Sequence, residues 1–183
     1  MIAKILAGCY LLLVGICIGG IIVTNITESI IMNIDAFFRI NNFSTTLITK
    51  YDQGIILAPI LLQFGYVLIG SAIFIFAYET MSYKLQKSTF FVWGCNILNA
   101  LLMLLYGLFY APNISKMLNE EPKVMASPDS ESFLNQSELI LKLLLITLLI
   151  AFFARIILMH KRGLTELSLT KQKDNIQNRN DSI

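Results

Sequence analysis

Few side chains in this sequence could do chemistry, and their types and spacing narrow the options quickly. The cysteines are Cys9, Cys17 and Cys95. No two form a Cys-x-x-Cys pair, so dithiol oxidation lacks its redox couple, and they read as small apolar packing residues. His160 is the single histidine. A bis-histidine haem needs two, and a zinc or copper site needs a cluster, so no metal or other cofactor is expected. No G-x-S-x-G, H-E-x-x-H or Gly-rich phosphate loop occurs, so no catalytic constellation is visible and no enzyme is expected.

The uncharged polar residues carry a better signal. Gln63 and Tyr66 are three apart, as are Asn96 and Asn99, so each pair shares a helix face. Together they predict a polar seam near mid-membrane, facing the bundle interior because an unpaired amide in hydrocarbon is costly. Such a seam is either glue, at about 0.6 kcal/mol per interhelical bond, or the wall of a path for a polar substrate. A second group, Asn25, Glu28 and Asp52, gathers two carboxylates and an amide that could bind a cation or a basic partner. A third, Gly15 and Gly19, is a GxxxG that lets two helix backbones approach closely. Gly65 and Gly70 lie beside Gln63, and Pro59 should bend the same helix.

These positions acquire meaning from the elements that hold them. The chain has 183 residues, 56% hydrophobic and only 14% charged, with a mean hydropathy of +0.68. A soluble domain would be about 25% charged. No Asp, Glu, Lys or Arg occurs between Lys4 and Glu28, between Asp52 and Glu79, or between Lys87 and Lys116. Each gap exceeds the roughly 18 residues that mark a membrane span. Spans are expected at about 5–27, 53–78, 88–115 and 139–159. Lys142 and Arg155 lie near the ends of the fourth, where long side chains can snorkel to the headgroups. The pattern excludes a soluble enzyme, a nucleic-acid module and a disulfide-stapled secreted domain.

Lys and Arg set the orientation. Lys4, Lys84, Lys87, Arg155, Lys161, Arg162, Lys171, Lys173 and Arg179 fall on one side, against Arg39, Lys50, Lys116, Lys123 and Lys142 on the other. Nine against five predicts both termini in the cytoplasm. Leu6-Ala7-Gly8-Cys9 spells a lipoprotein box, but its apolar run follows the cysteine, so neither lipidation nor cleavage of the first span is expected. Residues 34–40 could form a short amphipathic interfacial segment, and 119–129, with two prolines, an irregular loop. The polar tail, 161–183, is expected to be disordered.

The run Leu47-Ile48-Thr49-Lys50-Tyr51-Asp52-Gln53-Gly54-Ile55-Ile56-Leu57, then Phe64, Tyr66 and Leu68-Ile69, resembles the second span of small bacterial four-span proteins. Phe109-Tyr110, a polar loop, Asn135-Gln136-Ser137 and then Lys142 resemble the approach to their fourth. The chain is similar in these stretches to the transmembrane-protein-205-like family, a domain of unknown function. The resemblance covers most of residues 1–160 and implies a polytopic membrane protein, without naming an activity.

The expectation is therefore an all-α, polytopic integral membrane protein of the bacterial inner membrane: a four-helix transmembrane bundle over residues 1–160, both termini cytoplasmic. Its partners are the lipid bilayer and either another membrane protein or further copies of itself, with no nucleic acid. An accessory or structural subunit, docking through the first span's glycine face, is the leading function. A small transporter or permeability factor using the polar seam is the alternative.

Overall fold

The computed structural model describes residues 2–32, 50–86, 88–119 and 128–180, with side chains described over 5–31, 52–86, 88–117 and 132–161. The segment 34–40 and most of the loop 119–129 lie outside these. The described residues form α1 (Ile2–Met32), α2 (Lys50–Lys84), α3 (Phe90–Leu105), a π-helical turn (Tyr106–Tyr110), α4 (Ala111–Asn119) and α5 (Pro128–Asn180). Four stretches are long and apolar enough to cross a membrane: Ile5–Ile31, Asp52–Lys84, Phe90–Met117 and Ser132–Lys161.

The elements follow from apolar residues repeating at alternate spacings of four and three, which keeps one stripe of each helix turned inward. In α1 the buried stripe is Tyr10, Val14, Cys17, Ile21 and Thr24. In α2 it is Leu61, Leu68, Ala72, Ile75, Glu79 and Ser82; in α3, Val92, Asn96, Asn99 and Met103; in α5, Ser137, Leu141, Leu144, Leu148, Ala151 and Arg155. The stripes meet in one core running most of the bundle's length, with a smaller cluster of Leu57, Ala58, Leu61 and Ile114 at the end away from the α2–α3 turn. α1 packs on α2 and α5, and α3 also packs on α2 and α5, so α1 faces α3, and α2 faces α5, across the axis.

Two boundaries differ from expectation. The second span does not stop at Tyr78, because α2 continues to Lys84 and carries Glu79 and Ser82 inward. Pro59 sits inside this helix without ending it. The fourth span belongs to a helix that runs on to Asn180, so most of the tail expected to lack structure is helical. A helix already nucleated in the bundle extends at little cost through Lys, Gln, Glu and Leu, which are good helix formers.

The α2–α3 turn is tight. Gln86 takes a left-handed φ of 53°, the usual conformation just beyond a helix end. Thr89 then caps α3, its hydroxyl oxygen accepting from the Val92 amide at 3.4 Å.

Further along the third span, the π turn inserts one extra residue and shifts the inward stripe. Beyond Tyr106 the continued spacing would bring Tyr110 and Asn113 inward; instead Ala111 and Ile114 are fully buried. The shift coincides with the closest approach of α2. A Cβ on Gly65 would lie 2.7 Å from the Ala111 Cβ, and one on Gly107 would lie 2.5 Å from Ile69 Cγ1 and 2.7 Å from the Gly65 carbonyl oxygen. Only glycine fits these two positions. Gly107→Ala is therefore expected to destabilise the bundle by about 1–3 kcal/mol through overpacking, whereas Gly94→Ala, with nothing within 4 Å of its Cβ position, should not. Reversible unfolding of both variants in detergent checks this difference.

Candidate functional site

Toward the end of the bundle nearest the α2–α3 turn, each of the four inward stripes carries a polar or hydroxyl-bearing side chain, and these side chains meet. Glu79 of α2 and Arg155 of α5 both lie on buried stripes, 0% and 3% exposed. Their closest atoms, Glu79 Oε1 and Arg155 Nη1, are 3.6 Å apart. A charge removed from water is costly unless it is paired and hydrogen-bonded, and here both partners recruit further groups. The Asn96 amide donates to Glu79 Oε1 at 3.2 Å, and the Ser88 hydroxyl to Oε2 at 3.0 Å. Arg155 Nη2 donates to the Tyr78 hydroxyl at 2.8 Å and to Ser82 Oγ at 3.2 Å. The guanidinium carbon also lies 5.6 Å from the Tyr10 ring centre and 5.1 Å from that of Tyr78. Those two rings stack at 4.5 Å, so the cation sits against an aromatic pair, an attraction that strengthens away from water.

The Tyr10 hydroxyl donates to Asn96 Oδ1 at 2.8 Å, joining α1 to α3 across the axis. The Arg155 contacts join α5 to α2 across the other diagonal. One cluster of Tyr10, Tyr78, Glu79, Ser82, Ser88, Asn96 and Arg155 thus fastens both diagonals. Chemically it is a net-neutral ion pair ringed by hydroxyls and one amide. Arg155 Nε and Nη1 remain without a hydrogen-bond acceptor among the described residues.

The expected seam is not assembled. Asn96 and Asn99 are fully buried, and Asn99 Nδ2 donates to the Thr147 carbonyl oxygen of α5 at 3.3 Å. Gln63 and Tyr66, by contrast, point away from the core, Tyr66 at 62% exposure. The inward stripe of α2 passes through Leu61, Gly65 and Leu68, and residues two positions from Leu61 and Leu68 fall on the opposite face. Asn96 does bond in the interior, but with Tyr10 and Glu79.

Of the group Asn25, Glu28 and Asp52, the first two lie near the end of α1 and the third at the start of α2. The charges acting on Glu28 are Glu138 and Lys142 of α5, which pair with each other at 2.7 Å. Asn25 Oδ1 is buried without a hydrogen bond among the described residues, and Asp52 is half-buried in the first turn of α2. Gly15 and Gly19 are exposed, with nothing within 4 Å of either Cβ position; the glycine that α1 uses inside its own bundle is Gly20, whose Cβ would lie 2.7 Å from the Phe64 ring. Cys17 is buried in the core, Cys95 half-buried, and Cys9 and His160 face outward.

Glu79 and Arg155 were expected at span ends, in water or snorkelling, and their inward position is the main correction to that reading. The spacing alone does not single them out, because both spans are apolar on every face; they follow once burial shows which stripe is inward. Leu141, Leu144, Leu148 and Ala151, continued by four, lands on Arg155; Leu68, Ala72 and Ile75, continued by four, lands on Glu79.

No family model, curated protein or solved structure matches this chain.

Removing one member of a buried ion pair strands the other. Arg155→Met is expected to lower stability by about 3–5 kcal/mol, and adding Glu79→Gln in the same chain to recover much of that loss. A double-mutant cycle of unfolding free energies in detergent measures the coupling; additive effects would mean that the two side chains do not interact.

Proposed function

We propose that the chain is an integral protein of the bacterial cytoplasmic membrane, both termini on the cytoplasmic side, serving as an accessory or structural subunit that docks on another membrane protein through the outward face of α1. Several features support insertion in a bilayer. Leu12, Ile73, Leu101 and Phe153, one from each spanning segment, are all more than half exposed, an outer surface suited to hydrocarbon rather than water. Aromatic side chains gather at two levels: Tyr83, Phe90 and Trp93 near the α2–α3 turn, and Phe109, Tyr110 and Phe133 toward the opposite end. From Trp93 to Phe109 the helical rise of about 1.5 Å per residue gives about 24 Å, close to the spacing of two interfacial belts around a core of about 30 Å. The excess of Lys and Arg at the end bearing the α2–α3 turn supports its cytoplasmic position. The resemblance to the transmembrane-protein-205-like family fits the same polytopic architecture.

The observation that carries the docking reading is the contrast among glycines. Gly20, Gly65 and Gly107 are in contact with neighbours so close that a Cβ would collide, whereas Gly15 and Gly19 face open space on the outside of the bundle. A glycine within a helix costs about 1 kcal/mol relative to alanine, and the fold of one chain uses neither of these two. A second helix seated over them would.

Asn99 Oδ1 and the Tyr106 hydroxyl favour a second reading as a small transporter. Both are buried on the inward stripe of the third span without a hydrogen-bond partner among the described residues, and they could receive a polar substrate or water. Of the expected seam, this reading keeps Asn96 and Asn99.

Gentle extraction from the native membrane followed by native mass measurement tests the docking reading. The wild-type chain is expected with a stoichiometric unrelated partner; Gly15→Leu with Gly19→Leu should lose the partner while the bundle still inserts and unfolds as wild type does. Recovery of the wild-type chain without any other protein would overturn the subunit reading. Asn99→Leu separates the alternatives: it leaves the complex intact if the chain is a subunit, and abolishes flux while preserving expression if the interior is a path.

A further inference from the structure

Gln63 poses a problem that the bundle does not solve. Its amide has two N–H donors and a carbonyl acceptor, it faces outward, and it makes no hydrogen bond to any described residue. It lies well inside the span Asp52–Lys84, about 16 Å from the Asp52 end at about 1.5 Å per residue, where water is scarce. An amide left unsatisfied in that medium is costly.

The surroundings of Gln63 are ordered. Ile56, Ile60, Gln63, Val67 and Gly70 are all exposed and follow one another at spacings of four, three, four and three. That repeat forms a straight seam on one face of a helix, of the kind that interlocks with a second helix. Gly70 has nothing within 4 Å of its Cβ position, leaving room for an incoming side chain. α2 therefore carries two seams of the same period: one inward, which builds the bundle, and one outward, apolar except for a single amide. A lone amide in an otherwise apolar seam fixes the register and number of the helices that pair through it.

We infer that the outward seam of α2 pairs with the same seam of a second copy of this chain, in a parallel two-fold dimer with Gln63 bonded to Gln63 of the other copy. The occupant follows from the chemistry and the membrane. Copies inserted in the same orientation hold their Gln63 amides at the same depth, so neither has to slide to meet the other. An amide is its own complement: each Oε1 accepts from the opposite Nε2, and the two-fold axis makes the exchange reciprocal. A different protein would need its own donor and acceptor at that depth. This surface is separate from the α1 glycine face and stands or falls independently of it.

Disulfide scanning in native membranes tests the pairing, in a chain with Cys9, Cys17 and Cys95 replaced by alanine. Ile56→Cys, Ile60→Cys, Val67→Cys and Gly70→Cys, each alone, are expected to cross-link into a species of twice the chain mass on mild oxidation, and Tyr66→Cys and Ile73→Cys to do so far less. With the native cysteines restored, Gln63→Leu should weaken self-association about tenfold, as measured by energy transfer between labelled copies at varied lipid-to-protein ratio. Gln63→Asn should retain part of it, and Gly15→Leu should leave it unchanged. A wild-type chain that stays monomeric in bilayers would overturn the inference. So would cross-linking without the four–three periodicity, cross-linking to a different protein at these positions, or a dimer indifferent to Gln63→Leu. A wild-type chain recovered as this dimer with no other protein bound would count against the subunit reading alone.

Discussion

A charge buried among apolar side chains must find its opposite, and in this chain that requirement ties the bundle together. Glu79 and Arg155 come from helices that face each other across the axis, and their meeting brings α2 and α5 to one point. The remaining valences of the carboxylate recruit Asn96 and Ser88, and those of the guanidinium recruit Tyr78 and Ser82. Tyr10 closes the other diagonal through Asn96. Apolar packing is non-directional and would tolerate several rotations of each helix, the more so in lipid, where the tails are as apolar as leucine. The polar cluster tolerates far fewer, because a rotation that turns either charge outward separates it from its partners. We regard it as the feature that selects one arrangement of the four helices.

The opposite half of the bundle is fastened sterically. Gly65 and Gly107 let α2 and the third span approach until backbone meets backbone, and the π turn at Tyr106–Tyr110 resets the inward stripe to Ala111 and Ile114. The two halves therefore use different physics: charge pairing near the α2–α3 turn and close backbone contact beyond the middle. Between them lie the leucine, alanine and methionine side chains of the common core. The outside of the bundle is almost uniformly apolar, so Gln63, and the open glycines of α1, stand out as places where a further helix would have something specific to hold.

The number of helices and their approximate spans were legible because long charge-free stretches leave little choice of structure. The inward faces were not, because the spans are apolar all round: in α5 the buried Leu141, Leu144, Leu148 and Ala151 are flanked by the equally apolar but exposed Leu139, Leu143, Ile146 and Ile150. What misled was using charge as a boundary marker. Glu79 and Arg155 each look like the end of a span when read alone, because an isolated charge belongs in water. Only the pair makes the interior tolerable, and pairing across the bundle is a tertiary fact that no single helix contains. The seam failed for a related reason: Gln63 and Asn99 share a depth but not an interior, since the stripe of α2 runs through Leu61, Gly65 and Leu68. The π turn has no comparable sequence marker beyond Gly107, whose lack of a side chain permits the contact.

The central claim is that the Arg155 guanidinium lies against the Glu79 carboxylate inside the bundle and does not turn outward. Solid-state NMR on the full chain in bilayers measures this directly, with nitrogen-15 in the arginine guanidinium groups and carbon-13 in the glutamate carboxyls. The difference in dipolar dephasing between wild type and Arg155→Gln isolates the single pair. The account predicts a contact signal in wild type that corresponds to the 3.6 Å Nη1–Oε1 approach and disappears in the variant. Identical dephasing in the two chains would place Arg155 away from Glu79, and the charge pair would no longer explain how the four helices are arranged.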